Sequence, residues 1–296
     1  MSLTSPPPPK NFYIFGQGIS FSLSPTIHNT GFQHHHLPHT YTIHETSTVD
    51  ELESTIRSPS FGGASVTMPH KLGVSKFCNR VTEHGRIVGA INTLIVEEEE
   101  GKGEKIIVGD NTDWTGLVRA IEKVLSSSSS PKKFETGLVV GAGGASRAAI
   151  YALYKLGVKT IYLTNRTKSR AVAIAEALAP LFPITVLDNL SDVPADQAPD
   201  IIVGTIPADK TTVDYFPPVI FSKPGGGVCV EMAYKPRYTP LLQAVTRDHG
   251  EGKWAVVTGL DVLLEQAYDQ FRLWTGLEAP REVMAEAVAR RDREGK

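Results

Sequence analysis

Short apolar runs separated by turn residues dominate the first hundred positions. Phe12 to Phe15, Thr40 to Ile43, Ala64 to Thr67, Thr93 to Val96 and Ile106 to Val108 are rich in β-branched and aromatic residues over strand length, which predicts five strands. Ser24-Pro25 places a capping hydroxyl and a proline at the first helical position, predicting a helix through roughly Gln33. Strands alternating with helices suggest an α/β domain with a mostly parallel sheet. Glu97 to Glu100 with Gly101 to Glu104 reads as a charged hairpin loop, and Ser126 to Ser130 before Pro131 as a low-complexity connection. Beyond Gly137 the alternation is clearer. Strands are expected at Leu138 to Val140, Thr160 to Thr164, Ile184 to Leu187, Ile201 to Val203, Val228 to Met232 and Ala255 to Val257, with helices from Gly259 to about Trp274 and after Pro280. That half has a doubly wound pattern.

Composition narrows the class. At 296 residues the chain has room for two domains, and 41% hydrophobic content is ordinary for a globular protein. A net charge of -2 gives no general attraction to nucleic acid or to an anionic membrane, and no apolar run is long enough to span a bilayer. Cys78 and Cys229 form no ligand spacing, so a disulfide framework or zinc site has little support; free thiols fit a reducing, cytoplasmic compartment. Pro6 to Pro9 makes Met1 to Lys10 an extended or disordered arm in this reading rather than a signal peptide. His34-His35-His36 cannot all face one ion from a helix, so no metal is expected there.

Candidate chemistry begins at Gly141-Ala142-Gly143-Gly144-Ala145-Ser146, between the strand ending at Val140 and an Ala-rich helix reaching about Leu156. Gly141 and Gly143 match the first two glycines of the dinucleotide fingerprint, while Ser146 replaces the third Gly or Ala. Backbone amides at such a helix start can receive a pyrophosphate. The next strand ends at Asn165-Arg166-Thr167, where an NAD site would carry Asp or Glu for the ribose 2′-OH; a guanidinium there suits a 2′-phosphate and favours NADP. Arg166, Lys168 and Arg170 oppose the dipole of the helix they start, and an anionic ligand explains them. Lys71, ending Ser65-Val66-Thr67-Met68-Pro69-His70-Lys71, and Asp113, in Gly109-Asp110-Asn111-Thr112-Asp113-Trp114, could together handle a proton beside a carbonyl undergoing reduction.

With these runs in order, and with Ser22-Leu23-Ser24-Pro25, Gly89-Ala90-Ile91-Asn92-Thr93, Tyr234-Lys235-Pro236, Thr239-Pro240-Leu241-Leu242, Gln266 and Trp274-Thr275-Gly276, the chain resembles the shikimate dehydrogenase family from about Asn11 to Gly276. Gly62 to Thr67 and Thr205-Ile206-Pro207-Ala208-Asp209 look most like the dehydrogenase domain of the fungal pentafunctional shikimate-pathway polypeptide. The resemblance implies a substrate domain over residues 1–112, completed by helices in 260–296, and a Rossmann-type NADP-binding domain over 113–259. It implies reversible reduction of 3-dehydroshikimate, with Lys71 and Asp113 catalytic and Ser22, Ser24, Thr67, Asn92, Tyr234 and Gln266 holding substrate. Gly141, Gly143, Gly144, Ala145, Ser146, Asn165, Arg166, Thr167 and Arg170 would hold NADP. Other enzymes of that pathway are the implied partners.

Several positions depart from the family pattern. Ser65 stands where an Asn is usual, Gly18 and Phe21 where a Pro and a His are common, Gly204-Thr205-Ile206 where Asn-Ala-Thr is usual, and Glu231 where an Asp is usual. They leave a quinate dehydrogenase, and a non-catalytic regulator of the fungal quinate-repressor type, as alternatives.

Overall fold

In the computed structural model, which describes residues 7–98, 104–126, 133–249 and 254–294, the chain divides into two compact units: residues 1–112 with 266–296, and residues 113–265. The second boundary falls inside a helix, between Glu265 and Gln266, where the sequence suggested a break near Gly259.

The first unit holds β1 (Asn11–Gly16), α1 (Ser24–His34), β2 (Thr40–Glu45), α2 (Glu53–Ile56), β3 (Phe61–Val66), β4 (Arg80–Val81), α3 (Glu83–Val88), β5 (Thr93–Glu98) and β6 (Lys105–Asp110). Its sheet runs β2-β1-β3-β5-β6-β4. β1 is parallel to β2 and β3, and β4 to β6, whereas β5 is antiparallel to both neighbours. The sheet is therefore mixed, which apolar runs alone could not show: β5 and β6 form a hairpin, and its proposed tip at 99–103 lies outside the described residues. The two-residue β4 is too short to leave a periodic signal. One face of this sheet buries Phe15, Phe61, Val66, Leu94 and Ile107. Gly63 has no Cβ because one would stand 2.7 Å from the Trp274 indole nitrogen, which instead donates to the Leu94 carbonyl at 2.9 Å.

Helix α1 corrects one expectation. Ser24 is its first residue rather than its cap; Leu23 precedes it without a side-chain cap, and the Ser22 hydroxyl accepts from the Ser24 N–H at 3.3 Å. Proline tolerates the second helical position for the same reason as the first, since neither N–H has an intrahelical partner.

The second unit contains α4 (Asp113–Leu125), β7 (Thr136–Val140), α5 (Gly144–Lys155), β8 (Thr160–Thr164), α6 (Lys168–Leu178), β9 (Ile184–Val186), β10 (Ile201–Gly204), β11 (Val228–Glu231), α7 (Pro240–His249) and β12 (Ala255–Val257). Of the low-complexity connection ahead of β7, Ser126 is described and Ser127 to Pro131 lie outside the described residues. Helix α8 (Gly259–Thr275) belongs partly to each unit, and α9 (Arg281–Glu294) to the first. All strands of the second sheet are parallel, in the order β12-β11-β10-β7-β8-β9. This is the doubly wound Rossmann order, which reverses direction between β7 and β10, the switch point beyond whose strand ends ligands bind. Both central strands are buried throughout, as a sheet covered by helices on two faces requires.

Candidate functional site

Within the first unit, the parallel pairing of β1 and β3 and the antiparallel insertion of β5 bring four loops to one end of the sheet. The exits of β1 and β3 are tied by the Gln17 N–H on the Met68 carbonyl at 3.1 Å and the Thr67 N–H on the Phe15 carbonyl at 2.8 Å. Beyond the cis Met68–Pro69 peptide, His70 is buried with its Nε2 2.9 Å from the Thr46 hydroxyl, which anchors the short turn carrying Lys71. The Lys71 carbonyl accepts from the Ile91 N–H at 2.8 Å, so the main chain of Lys71 is fastened one residue ahead of Asn92. Ser22 and Ser24 lie buried just past the β1 exit.

Asn92 is 2% exposed and is surrounded by polar groups. Its Oδ1 accepts from the Thr112 N–H at 2.7 Å and the Thr93 hydroxyl at 2.7 Å, and its Nδ2 donates to Gln266 Oε1 at 2.8 Å. Behind it, Gln270 Nε2 donates to the Thr93 hydroxyl and to the Asn92 carbonyl, while Gln270 Oε1 accepts from Ser65, which in turn accepts from Tyr41. The sequence reading named Asn92 and Gln266 as site candidates but not Tyr41, Thr93, Thr112 and Gln270, with which they share this network. One signal was present: Gln270 stands four residues after Gln266, on the same helical face. Ser65, the departure from the usual Asn, is a member of this buried chain.

In the second unit the glycine turn sits at the switch point. Gly141 has φ +120°, and a Cβ there would lie 2.3 Å from the Thr205 hydroxyl oxygen; Gly143 has open space around it. Ser146 is fully buried, its hydroxyl accepting from the Gly143 N–H at 3.0 Å and lying 2.7 Å from the Thr205 hydroxyl, which donates to the Val140 carbonyl. Ser146 thus shapes the turn from beneath rather than facing a ligand. Two apparent departures, Ser146 and Thr205, are one hydrogen-bonded pair. Past β8, Asn165 braces the entry to α6 by donating to the Thr167 carbonyl at 2.9 Å.

The three cations expected to need an anion separate here. Lys168 pairs with Asp188 at 2.5 Å, which accounts for its charge. Arg166 and Arg170 are exposed and have no carboxylate partner among the described residues. Burial pushes the Tyr215 phenol up, and the neighbouring Arg166 guanidinium works against that shift. Asp113 opens α4 and Tyr234 follows β11, so both fall in the second unit. Glu231 supports the Tyr234 loop by accepting from the Ala233 N–H at 3.0 Å and the Thr239 hydroxyl at 2.9 Å; burial pushes its carboxyl up to about 7. Among the described residues no group of His, Cys, Asp or Glu could hold a metal ion, and no helix is long and apolar enough to cross a membrane.

Residues 14–94 match the shikimate dehydrogenase substrate binding domain, 119–214 the shikimate / quinate 5-dehydrogenase family and 259–289 the shikimate 5'-dehydrogenase C-terminal domain. The pentafunctional AROM polypeptide of Mycosarcoma maydis is 40% identical over 95% of the chain, which spans 18% of that relative's length. The shikimate dehydrogenase structure from Mycobacterium tuberculosis is 30% identical with a TM-score of 0.76, covering 96% of this chain and 100% of that one. A shikimate 5-dehydrogenase from Thermus thermophilus, solved with NADP(H) and shikimate, is 28% identical with a TM-score of 0.72 over 95% of this chain and 99% of its own. On matched domains, end-to-end coverage and identity together, the chain belongs to the shikimate dehydrogenase family.

Proposed function

We propose that the chain is an NADP-dependent shikimate dehydrogenase. The observation that carries this reading is the cluster of Asn92, Thr112 and Gln266 at the sheet end where the main chain of Lys71 is fastened. Shikimate is a small cyclic carboxylate with three hydroxyls, and a site for it needs side-chain amides and hydroxyls for the ring oxygens and an acid beside the reacting one. Ser22, Ser24 and Tyr234 serve the carboxylate in this reading, and Thr67, Asn92, Asp113 and Gln266 the hydroxyls. Lys71 donates a proton to the carbonyl oxygen and takes it back in the oxidative direction; Asp113 accepts a hydrogen bond from the same hydroxyl.

The chain's own groups fit NADP. Gly141 permits a turn that a side chain would block, Gly143 leaves its surroundings open, and Arg166 and Arg170 offer charge to a 2′-phosphate. The bound dinucleotide supplies or accepts the hydride. Likeness to one domain of a multi-enzyme polypeptide supports other enzymes of the same pathway as partners. The deciding experiment measures turnover with shikimate and with quinate, each with NADP and with NAD. Activity confined to shikimate with NADP is expected; preference for quinate, or no turnover in any pairing, would replace this reading with a quinate dehydrogenase or a non-catalytic regulator.

A further inference from the structure

The buried chain behind Asn92 has a direction, because two of its anchors are backbone groups of fixed polarity. The Thr112 N–H can only donate, so the Asn92 side-chain atom 2.7 Å from it is the oxygen. Asn92 must then present its NH2 to Gln266, whose facing atom, 2.8 Å away, is Oε1. At the other end, the Asn92 carbonyl can only accept, so the Gln270 atom 3.2 Å from it is Nε2. Gln270 therefore turns Oε1 to Ser65, and the Ser65 proton is committed to it at 2.9 Å. Gln270 also donates to Thr93 at 3.0 Å, which leaves the Thr93 proton for Asn92 Oδ1. Gln270 and Ser65 are 1% and 5% exposed, so bulk solvent does not reach these positions.

We infer that this relay holds Gln266 with its NH2 outward, so that Gln266 meets substrate only as a donor, and that Gln270 and Ser65 are positioning residues that reinforce, through Thr93, the orientation the Thr112 N–H gives to Asn92. Gln266 is partly exposed, and no protein acceptor meets its Nε2 among the described residues. The ligand group it reads is a lone pair on a hydroxyl or carbonyl oxygen, and the substrate hydroxyl keeps its own proton for another acceptor. Ser65 has no proton left for substrate, so it does not act as a donor to it. The inference rests on the proposed substrate site.

Steady-state kinetics of the full chain with shikimate and NADP test it, using Gln270→Leu, Ser65→Ala, Gln266→Ala and the double variant Gln270→Leu with Gln266→Ala. Losing the orientation of one hydrogen bond should raise the shikimate KM by about 5- to 30-fold in Gln270→Leu and less in Ser65→Ala, with kcat within about threefold and the NADP KM unchanged. The double variant should be no worse than Gln266→Ala alone, since both changes act through one amide. A Gln266→Ala enzyme with raised shikimate KM beside unaltered Gln270→Leu and Ser65→Ala enzymes would overturn the relay alone, as would effects that multiply in the double variant. An unaltered KM in Gln266→Ala would overturn the substrate site as well. If Gln270→Leu does not fold, Ser65→Ala, which removes a single hydroxyl, decides between the same outcomes.

Discussion

The two sheets place polar groups at one strand end by opposite means. In the first unit the groups are side chains: the Asn92 and Gln266 amides, each able to turn about its last bond, are held by a buried succession of hydroxyls and a further amide. In the second they are backbone amides at the start of α5, set by the turn at Gly141 and braced from beneath by Ser146 and Thr205. Side chains can match a particular pattern of hydroxyls but need neighbours to choose among their orientations. Backbone amides need only the right dihedrals, and they accept any phosphate. The first unit accordingly holds most of the groups that should discriminate substrate, Asp113 and Tyr234 apart, and the second those that should grip the cofactor.

The largest expected effect tests the chemistry assigned to the first unit. Lys71→Ala should lower kcat by roughly 10²- to 10⁴-fold, about 3 to 5 kcal/mol of barrier, while equilibrium binding of shikimate and NADP stays near wild type. Turnover within twofold of wild type would take Lys71 out of the mechanism.

In the second unit the matching test is steric. Gly141→Val places a branched side chain at φ +120° against the Thr205 hydroxyl, and the strain, on the order of 1 to 3 kcal/mol before any clash, should reduce NADP affinity by more than about tenfold. Shikimate binding by calorimetry should hardly change, and parallel losses of both ligands would erase the division of labour between the units.

Arg166→Ala asks whether a side chain sharpens the backbone site. A hydrogen bond to a charged group is worth about 1.5 to 3 kcal/mol, so NADP should weaken by roughly 10- to 100-fold and NAD hardly at all. Equal losses would assign Arg166 to the helix start instead.

The smallest effect concerns a buried titratable group in each unit. His28, packed against Tyr41 and Trp274, has its ring pushed down to about 3 by burial, and so contributes stability that is lost as pH falls below 6.5. Glu231, with its carboxyl pushed up to about 7, contributes stability that is lost as pH rises from 4.5 through 7. Between pH 5 and 6 the two slopes oppose, each at most about 1.4 kcal/mol per pH unit. Denaturant unfolding should show Glu231→Gln gaining stability over that interval relative to wild type and His28→Phe losing it. Identical slopes in all three proteins would show that neither group titrates as its burial implies.

Much of the molecule was legible because it is local. The β7 strand, the glycine turn and α5 follow from Leu138 to Ala149 read in order, since a buried parallel strand is continuously apolar and only glycine suits the turn. Lys168 reads in the sequence as part of an anion site because Asp188, with which it pairs, lies a helix and a strand away. Ser65 stood out in the sequence only as a departure from the usual Asn, because Gln270, 205 residues later, could not be seen beside it.

The sequence by itself determined the α/β class, the strand and helix order of the second unit, and the order of family motifs that mark the substrate and cofactor segments. Those depend on periodicity and on residues whose backbone preferences act within a few positions. Only the tertiary structure decided that β5 runs against its neighbours, that Ser146 and Thr205 form one pair, and which way the amides of Asn92, Gln266 and Gln270 face. Hydrogen-bond polarity is settled by the partner, and here the partners come from strands, loops and a helix that meet only when the chain has folded.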